Sequence, residues 1–285
     1  MITVNSISGG KTSAYIAKNY PADYNIFALV TTNDKKCLYP DKKIRQIVSD
    51  KIGREFIGTL EMDVIIRTLI ELEQFIGSEI KWVSGLPFDE IIKNKGGYLP
   101  NVLHRYCTTH LKMEPIFNWW RENINEVVDM RIGFRANETS RANKMLDKLN
   151  KDGISEMRAI VGRTKTGTQN AWADVPWRVP TFPLITDLMY KDNIDKYWID
   201  KPVPFAELNN CVGCFHRSPI LLKKMSDTHS NKMDWFADQE GGDNGYWRKD
   251  KLTYKDIRNS LKQIELNFED FNTDEYGCDS GECGI

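Results

Sequence analysis

The chain begins with an apolar strand pattern that runs directly into a glycine-rich turn and a helix, in residues 1–16, MITVNSISGGKTSAYI. Glycine permits backbone conformations that a side chain forbids. The N–H groups that follow such a turn converge on an anion, and the positive end of the helix dipole adds to the attraction. We therefore predict a phosphate-binding loop with hydroxyl donors and a lysine at its rim. Its residues are Ser8, Gly9, Gly10, Lys11, Thr12 and Ser13.

The first half of the chain alternates between apolar strand patterns and amphipathic helix patterns. Strands are predicted at 2–7, 24–32, 54–60, 81–84 and 127–135, and helices at 12–19, 40–53, 62–76, 87–94 and 110–123. Such alternation predicts an α/β fold with a doubly wound, Rossmann-like parallel sheet covered by helices on both faces. Ligands of such sheets bind at the carboxyl ends of the strands, where the loop at 8–13 is expected to lie.

The regular pattern is lost after about residue 150. Residues 162–183, GRTKTGTQNAWADVPWRVPTFP, are rich in Gly, Thr, Trp and Pro and are predicted to form a long functional loop or a small irregular lobe. Further helices are predicted at 189–199, 217–239 and about 254–268. We predict two domains, an α/β domain over 1–200 that carries the phosphate-binding loop and a helical, cysteine-containing lobe over 201–285 packed on it.

Composition narrows the class of protein. Apolar residues make up 41% and charged residues 28% of the chain, as in soluble globular proteins. The net charge of −1 provides no global attraction to nucleic acid. No apolar run approaches the ~20 residues of a membrane span, and the start lacks a signal-peptide pattern. We therefore predict a cytoplasmic protein with no membrane partner, in which six cysteines favour metal or redox chemistry over disulfides.

Two cysteine pairs have spacings typical of metal ligands. Cys211 and Cys214 form CVGC, and Cys278 and Cys283 form CDSGEC. A CxxC turn presents two thiolates to one metal, and a second pair completes a tetrahedral site that would tether the tail. We predict one metal centre on these four residues, with zinc slightly favoured over iron–sulfur. The alternative is a reducible CxxC dithiol with unrelated tail cysteines.

Other residues have both a structural and a functional interpretation. The lysines before Cys37 would lower the pKa of its thiol, although a lone cysteine is more often inert. Several aromatic residues could stack on a base, although such residues more often belong to a core. They are Trp119, Trp120, Trp172, Trp177 and Phe182.

The segment SISGGKTSAY resembles the PP-loop of the adenine-nucleotide α-hydrolase superfamily, in particular its phosphoadenosine phosphosulfate (PAPS) reductase-like branch. Residues 104–115, HRYCTTHLKMEP, look like the Arg-x-Cys-Thr-x-x-Leu-Lys-x-x-Pro signature of that branch. Residues 133–142, GFRANETSRA, look like its Gly-x-Arg-x-x-Glu-Ser-x-Arg segment, and 182–187, FPLITD, match a Pro-Leu strand end. The resemblance spans residues 5–187 and implies a sheet that binds an adenylyl or sulfonucleotide group at its first loop.

The resemblance also assigns roles to basic side chains. Arg105 and Arg141 are expected to bind the nucleotide, and Lys112 and Arg135 to act in catalysis. Arginine suits bidentate recognition of a sulfate or phosphate, and lysine acts as a point charge. The alternative interpretation is that these are solvated surface charges and that Glu138 simply pairs with Arg141.

Two details of the resemblance bear on the chemistry. Thr12 stands where the PP-loop usually carries an aspartate, whose carboxylate could hold Mg²⁺ on a nucleoside triphosphate. Threonine fits a loop that only holds phosphates, and it resembles variants from phages and mobile elements. The chain ends in Glu-Cys-Gly-Ile, similar to the Glu-Cys-Gly-Leu-His of sulfonucleotide reductases, which implies that Cys283 is the nucleophile.

The remaining cysteines support a competing assignment. Cys107, Cys211 and Cys214 are similar to the three-cysteine cluster of some PP-loop thiolation enzymes. The tandem cysteine pair of cluster-bearing reductases is represented here only by Tyr106 and Cys107. A three-cysteine cluster, a Cys₄ zinc site and a free dithiol all remain open at this stage.

Three functions follow. The first is a PAPS reductase-like protein that binds ATP, PAPS or adenosine phosphosulfate (APS) and transfers or reduces sulfur with a thiol reductant. The second is an ATP-using enzyme that adenylates or thiolates a nucleic acid or small molecule, with a cysteine desulfurase as a partner. The third is a degenerate nucleotide-binding module with a zinc-stapled tail. A phage-encoded protein would act in the host cytoplasm.

Overall fold

A computed structural model describes residues 1–164, 167–241 and 245–260. Its strands are β1 (Thr3–Ile7), β2 (Tyr24–Ala28), β3 (Thr31–Thr32), β4 (Gly58–Thr59), β5 (Ile80–Val83), β6 (Val128–Arg131), β7 (Ser155–Arg163) and β8 (Asn170–Thr181). Six of them form a sheet in the order β5-β2-β1-β6-β8-β7, and β3 and β4 form a separate antiparallel pair. Every neighbouring pair in the large sheet is parallel except β7 and β8.

Helices connect and flank the strands. They are α1 (Lys11–Asn19), α2 (Lys42–Ile52), α3 (Val64–Ile76), α4 (Phe88–Asn94), α5 (Tyr106–Thr108), α6 (Glu114–Asn123), α7 (Thr139–Leu146), α8 (Pro183–Thr186), α9 (Lys191–Trp198), α10 (Pro219–Thr228), α11 (Ser230–Asp238) and α12 (Tyr254–Asn259). The predicted α/β class with a mostly parallel central sheet is confirmed. No described helix combines the length and apolar character that a membrane crossing requires.

The strand order defines where a ligand binds. From β1 the chain moves outward to β2 and β5 on one side, and then to β6 and β8 on the other. The order therefore reverses between β1 and β6, which pair in parallel with Val4 opposite Met130. Ligands of such sheets bind in the crevice at the carboxyl ends of the strands at this switch point. Residues 8–10 and 132–135 follow these two strands and border the crevice.

The prediction of an irregular lobe at 162–183 is wrong, because this region belongs to a long antiparallel hairpin of β7 and β8. Pro176 and Gly162 conceal the strand pattern. Pro176 pairs with Glu156, next to a register shift, and Gly162 adjoins a second shift. Irregular pairing is the setting in which a strand accepts proline. FPLITD directly follows the end of β8, as predicted, and forms the helical turn α8.

Residues on both sides of the predicted boundary at 200 share one apolar cluster. Its members include Val30, Phe88, Leu111, Leu222, Trp235 and Trp247. A second apolar cluster lies around α1 and α3, and a third lies around α6 and β6. The division at residue 200 stays a prediction, as does the part of the lobe beyond residue 260, which lies outside the described residues.

Candidate functional site

The loop between β1 and α1 is shaped by Gly9. Its φ of +80° is left-handed, and a Cβ there would lie 2.6 Å from Cγ2 of Ile65 in α3. Both the backbone and the packing therefore require glycine. Gly10 differs, since its φ of −93° and ψ of 161° are an extended conformation that any residue adopts. The expectation that both glycines adopt forbidden conformations is correct only for Gly9.

Ser13 holds the loop together. Its buried Oγ accepts a hydrogen bond from the backbone N–H of Ser8 at 3.0 Å and donates one to the carbonyl of Gly10 at 3.1 Å. The hydroxyls of Ser8 and Ser13 also lie 3.0 Å apart, and Thr12 is buried beside them. Gly10 is the N-cap of α1, and the described residues give this helix no side-chain cap. An ordinary strand-to-helix turn would instead supply a Ser or Thr side chain as the cap.

Lys11 is directed away from the turn. Its Nζ lies 2.6 Å from Oδ1 of Asp195 in α9, and its carbonyl accepts a hydrogen bond from Trp198 Nε1 at 3.0 Å. Both charged side chains are about two-fifths exposed. The structure therefore places this charge against α9, and a role of Lys11 in phosphate binding stays a prediction.

Two arginines after β6 share one carboxylate. The Arg135 backbone N–H and Nε each donate to Oε2 of Glu138 at 2.9 Å, and Arg141 pairs with Oε1. Arg135 is only 2% exposed, and the Arg141 guanidinium lies 4.5 Å from the ring centre of Phe134. The prediction that Glu138 pairs with Arg141 is confirmed. The three side chains together carry one net positive charge beside the crevice.

Lys112 lies in a π-helical turn, Thr109–Met113, between α5 and α6. Pro115 explains the wider turn, because it lacks an N–H and its ring clashes with the carbonyl four residues earlier. Such turns are frequent at functional sites. The Lys112 Nζ donates to Oε1 of Glu61 at 3.2 Å. Burial lowers the pKa of Lys112, but the Glu61 carboxylate together with Cys211 and Cys214 raises it above its ordinary value.

Glu61 is a residue that no sequence pattern singles out. It is 1% exposed, and its Oε2 has no hydrogen-bond partner among the described residues. It forms an isolated bridge with Cys211, and its backbone carbonyl accepts a hydrogen bond from Lys232. No motif marks this position, so only the pairing with a distant lysine could have revealed it.

Three thiols line one small cavity. Cys107 joins the CVGC pair there, next to two basic groups, a histidine and four aromatic rings, including those of Phe236 and Trp247. The residues concerned are Arg105, Cys107, Lys112, Cys211, Cys214, His216, Phe236 and Trp247. The volume is about 40 Å³, well below the roughly 150 Å³ that takes up benzene. The cavity therefore has room for a small group.

Burial controls the charges in this cavity. It raises the pKa of Cys107 to about 11 and that of Cys211 well above its usual range. It also lowers the pKa of His216 to about 4, with the nearby Arg105 charge contributing in the same direction. At neutral pH the Cys107 and Cys211 thiols are therefore protonated and His216 is neutral. Gly213 is essential to the CVGC turn, because a Cβ there would lie 2.4 Å from the Phe236 ring.

The described residues form no single-ion metal site. Within 1–164, 167–241 and 245–260, no group of three or more His, Cys, Asp or Glu side chains is arranged to hold a metal ion. Cys278 and Cys283 lie outside the described residues, so the Cys₄ site and the catalytic role of Cys283 stay predictions. The same applies to the choice among zinc, iron–sulfur and a free dithiol.

The four basic residues do not all meet in one described cluster. Arg105 and Lys112 line the thiol cavity, whereas Arg135 and Arg141 share Glu138. Arg105 lies between the two groups, because it lines the thiol cavity and is also close enough to Arg141 to be repelled by its charge. Burial lowers the pKa of Arg105, and this repulsion acts in the same direction. The alternative of solvated surface charges is wrong for Lys112 and Arg135, which are 8% and 2% exposed.

The aromatic residues are divided between core and surface. Trp120 and Trp177 are buried in the apolar cluster around α6 and β6, as the structural interpretation predicts. Trp119 and Phe182 pack against the same cluster. Trp172 differs, since it is 54% exposed on the hairpin.

Cys37 is expected to react slowly with alkylating reagents in the folded protein. Burial raises the pKa of its thiol to about 12, which outweighs the lowering expected from neighbouring lysines. The reactive species is the thiolate, which is scarce at pH 8. We expect iodoacetamide followed by peptide mass mapping to leave Cys37 largely unmodified until the chain is unfolded with guanidinium. Equal labelling rates in the folded and unfolded chain would contradict this placement.

Comparisons with known protein families and with curated proteins give no match to this chain. What the protein does is therefore inferred from the loop after β1, the charge cluster after β6 and the thiol cavity. These three features carry the proposals that follow.

Proposed function

We propose that the chain binds an adenine nucleotide or sulfonucleotide at residues 8–13 and acts in sulfur transfer or reduction. The observation that carries this proposal is the position of two elements at the switch point of the sheet. The glycine-rich loop follows β1, and the group of Arg135, Glu138 and Arg141 follows β6. The resemblance of both segments to the PAPS reductase-like branch supports the same ligand class.

The electrostatics of the crevice favour an anion. The N-terminus of α1 contributes the positive end of a helix dipole, and the charge group after β6 contributes one net positive charge. An incoming phosphate or sulfate competes with Glu138 for two arginines that are already held in place. A charge-assisted hydrogen bond of this kind contributes about 1.5–3 kcal/mol, so we expect both sides of the crevice to be needed for binding.

Thr12 supports a ligand whose phosphates are held rather than cleaved. It is buried in the first turn of α1, where a carboxylate would be a ligand for Mg²⁺. A hydroxyl is a weaker ligand for a hard divalent cation. PAPS or APS therefore fits the loop better than magnesium-bound ATP.

A second candidate is thiolation of an acceptor, and the thiol cavity favours it. Cys107, Cys211 and Cys214 meet beside Arg105 and Lys112, and this arrangement suits a small sulfur species held by thiols and balanced by cations. The acceptor would be a nucleic acid or a small molecule, and a cysteine desulfurase would supply the sulfur. The metal centre stays a separate prediction, because the described residues form no single-ion site.

An assay for sulfite tests the first proposal. In the reductive reaction the Cys283 thiolate attacks the sulfonucleotide sulfur, the adenosine phosphate leaves, and a dithiol reductant releases sulfite from the S-sulfonated cysteine. We expect PAPS or APS with a thioredoxin-type reductant to yield sulfite, and Cys283→Ser to abolish release while retaining nucleotide binding. Cys37→Ser is the matched control. Binding without release would favour thiolation, and absence of binding would contradict both candidates.

A further inference from the structure

The β7–β8 hairpin extends well beyond the sheet to which it belongs. β8 pairs with β6 only over Arg178–Thr181, whereas its residues from Asn170 to Pro176 pair with β7 alone. At about 3.3 Å per residue this arm is roughly 20 Å long. Its inward side chains, including Met157, Ala159 and Val175, contact the apolar cluster around α6 and β6. The inward face of the arm therefore packs on this cluster, and the outer face is open.

The outer face carries an exposed apolar pair, of which one member is a tryptophan. Ile160 and Trp172 are cross-strand partners and are 41% and 54% exposed. Val161 follows at a register shift and is 57% exposed. A cross-strand pair stabilises a hairpin by only about 0.2–1 kcal/mol. Because the hairpin loses little when Trp172 leaves this pair, its exposed indole is available to a ligand.

The part of the arm between Glu156 and Asp174 carries cations and no acidic residue. Residues 157–173 contain Arg158, Arg163 and Lys165 and no aspartate or glutamate, whereas the whole chain has a net charge of −1. Arg121 of α6 donates to the carbonyl of Ile160 at 3.1 Å and adds a cation beside the Ile160–Trp172 pair. Lys165 lies outside the described residues.

Glu156 and Asp174 lie on either side of these cations and offset their charge only in part. Asp174 lies 3.5 Å from Arg158, and both side chains are more than half exposed. Exposed pairs of this kind contribute little free energy, so Arg158 can exchange its partner for a phosphate. Glu156 instead accepts a hydrogen bond from Asn150.

We propose that the β7–β8 arm binds single-stranded nucleic acid, with Trp172 stacked on a base and Arg158, Arg163 and Arg121 near phosphates. An exposed indole between cations is the combination with which proteins hold single strands, because every base offers a face for stacking. Duplex bases are already stacked on one another and leave this ring unused. The proposal deepens the second candidate function, on which it rests, since it names where a nucleic-acid acceptor would bind.

Fluorescence anisotropy on the full-length chain tests this proposal without any nucleotide ligand. The probes are labelled single-stranded DNA and RNA of about 12 nucleotides, within the usual site size, and a duplex of equal length. We expect Trp172→Ala to weaken single-strand binding roughly 5- to 100-fold, and Trp172→Phe to retain most of it. Arg158→Ala with Arg163→Ala should weaken binding and reduce the slope of log K against log salt by about 0.7 for each phosphate that is no longer neutralised.

Lys42→Ala with Lys43→Ala is the matched control, because it removes two exposed cations on α2. We expect binding by this variant to equal that of the wild type. Absence of single-strand binding at low salt, equal binding by Trp172→Ala, or an equal loss in the control would overturn the proposal. A dimer that Trp172→Ala dissociates, with no oligonucleotide bound, would assign the arm to a second copy of the chain instead. Nucleotide binding at residues 8–13 is measured in a separate experiment. Failure of the oligonucleotide proposal can therefore be distinguished from failure of the proposed nucleotide site.

Discussion

Lys112→Met is expected to lower the free energy of unfolding by about 3–5 kcal/mol, because it leaves the Glu61 carboxylate buried without its cation. Glu61 is 1% exposed, and its Oε2 has no hydrogen-bond partner among the described residues. Lys232 does not replace the lost cation directly, since it donates to the backbone carbonyl of Glu61 and pairs with Asp63. Urea denaturation followed by tryptophan fluorescence measures the change.

Two further variants isolate the buried pair. Lys51→Met removes a cation from the ion pair with Glu73, whose side chains are 26% and 23% exposed, and we expect it to cost at most about 1 kcal/mol. Glu61→Leu combined with Lys112→Met should recover most of the lost stability, since apolar residues often replace a buried pair at little cost. If Lys112→Met lowers the free energy of unfolding no more than Lys51→Met does, the buried placement of Glu61 is contradicted.

Gly9→Val is expected to abolish nucleotide binding and to destabilise the fold. A left-handed conformation costs a residue with a Cβ about 1–2 kcal/mol, and the new side chain would also clash with Ile65, whose Cγ2 lies 2.6 Å from the Cβ position. Overpacking a core costs a further 1–3 kcal/mol or so. Gly77→Val is the matched control, because Gly77 has a φ of +69° with nothing within 4 Å of its Cβ position.

Gly10→Val separates binding from folding. The backbone at Gly10 is extended, so a valine there adds no left-handed strain. The valine side chain would, however, occupy the space through which the phosphate must approach the backbone. We expect binding to fall more than about tenfold, which corresponds to 1.4 kcal/mol, while the unfolding curve stays close to that of the wild type. Nucleotide binding that folded Gly10→Val retains at the wild-type level would place the ligand away from this loop.

The sequence alone predicts those strands and helices that a short stretch of residues defines. The strand at 2–7 and the helix at 12–19 correspond to β1 and α1 within a residue at each end, because β-branched alternation and a glycine-rich turn signal both directly. The hairpin at 155–181 is not predicted, because Gly162 and Pro176 interrupt the alternation that would identify it. What tolerates these residues is irregular cross-strand pairing, a tertiary property that no local window contains.

The same distinction applies to the candidate site. The pairing of Glu138 with Arg141 follows from their spacing of three residues on one helical turn. Lys112 and Glu61 are 51 residues apart, and Lys11 and Asp195 are 184 apart, so no spacing rule connects them. Cys107 meets the CVGC pair only in the fold, where Glu61 after β4 accepts a hydrogen bond from Lys112 and forms a bridge with Cys211. Long-range partners of this kind require the fold.

Isothermal titration of PAPS, APS and ATP into the full-length chain, with Gly10→Val in parallel, decides whether residues 8–13 form a nucleotide site. We expect at least one of these nucleotides to bind with a Kd below roughly 1 mM, a free energy of about −4 kcal/mol. We also expect Gly10→Val to remove this binding while remaining folded. Absence of binding by all three at millimolar concentration, or equal binding by folded Gly10→Val, would contradict a nucleotide site in this loop.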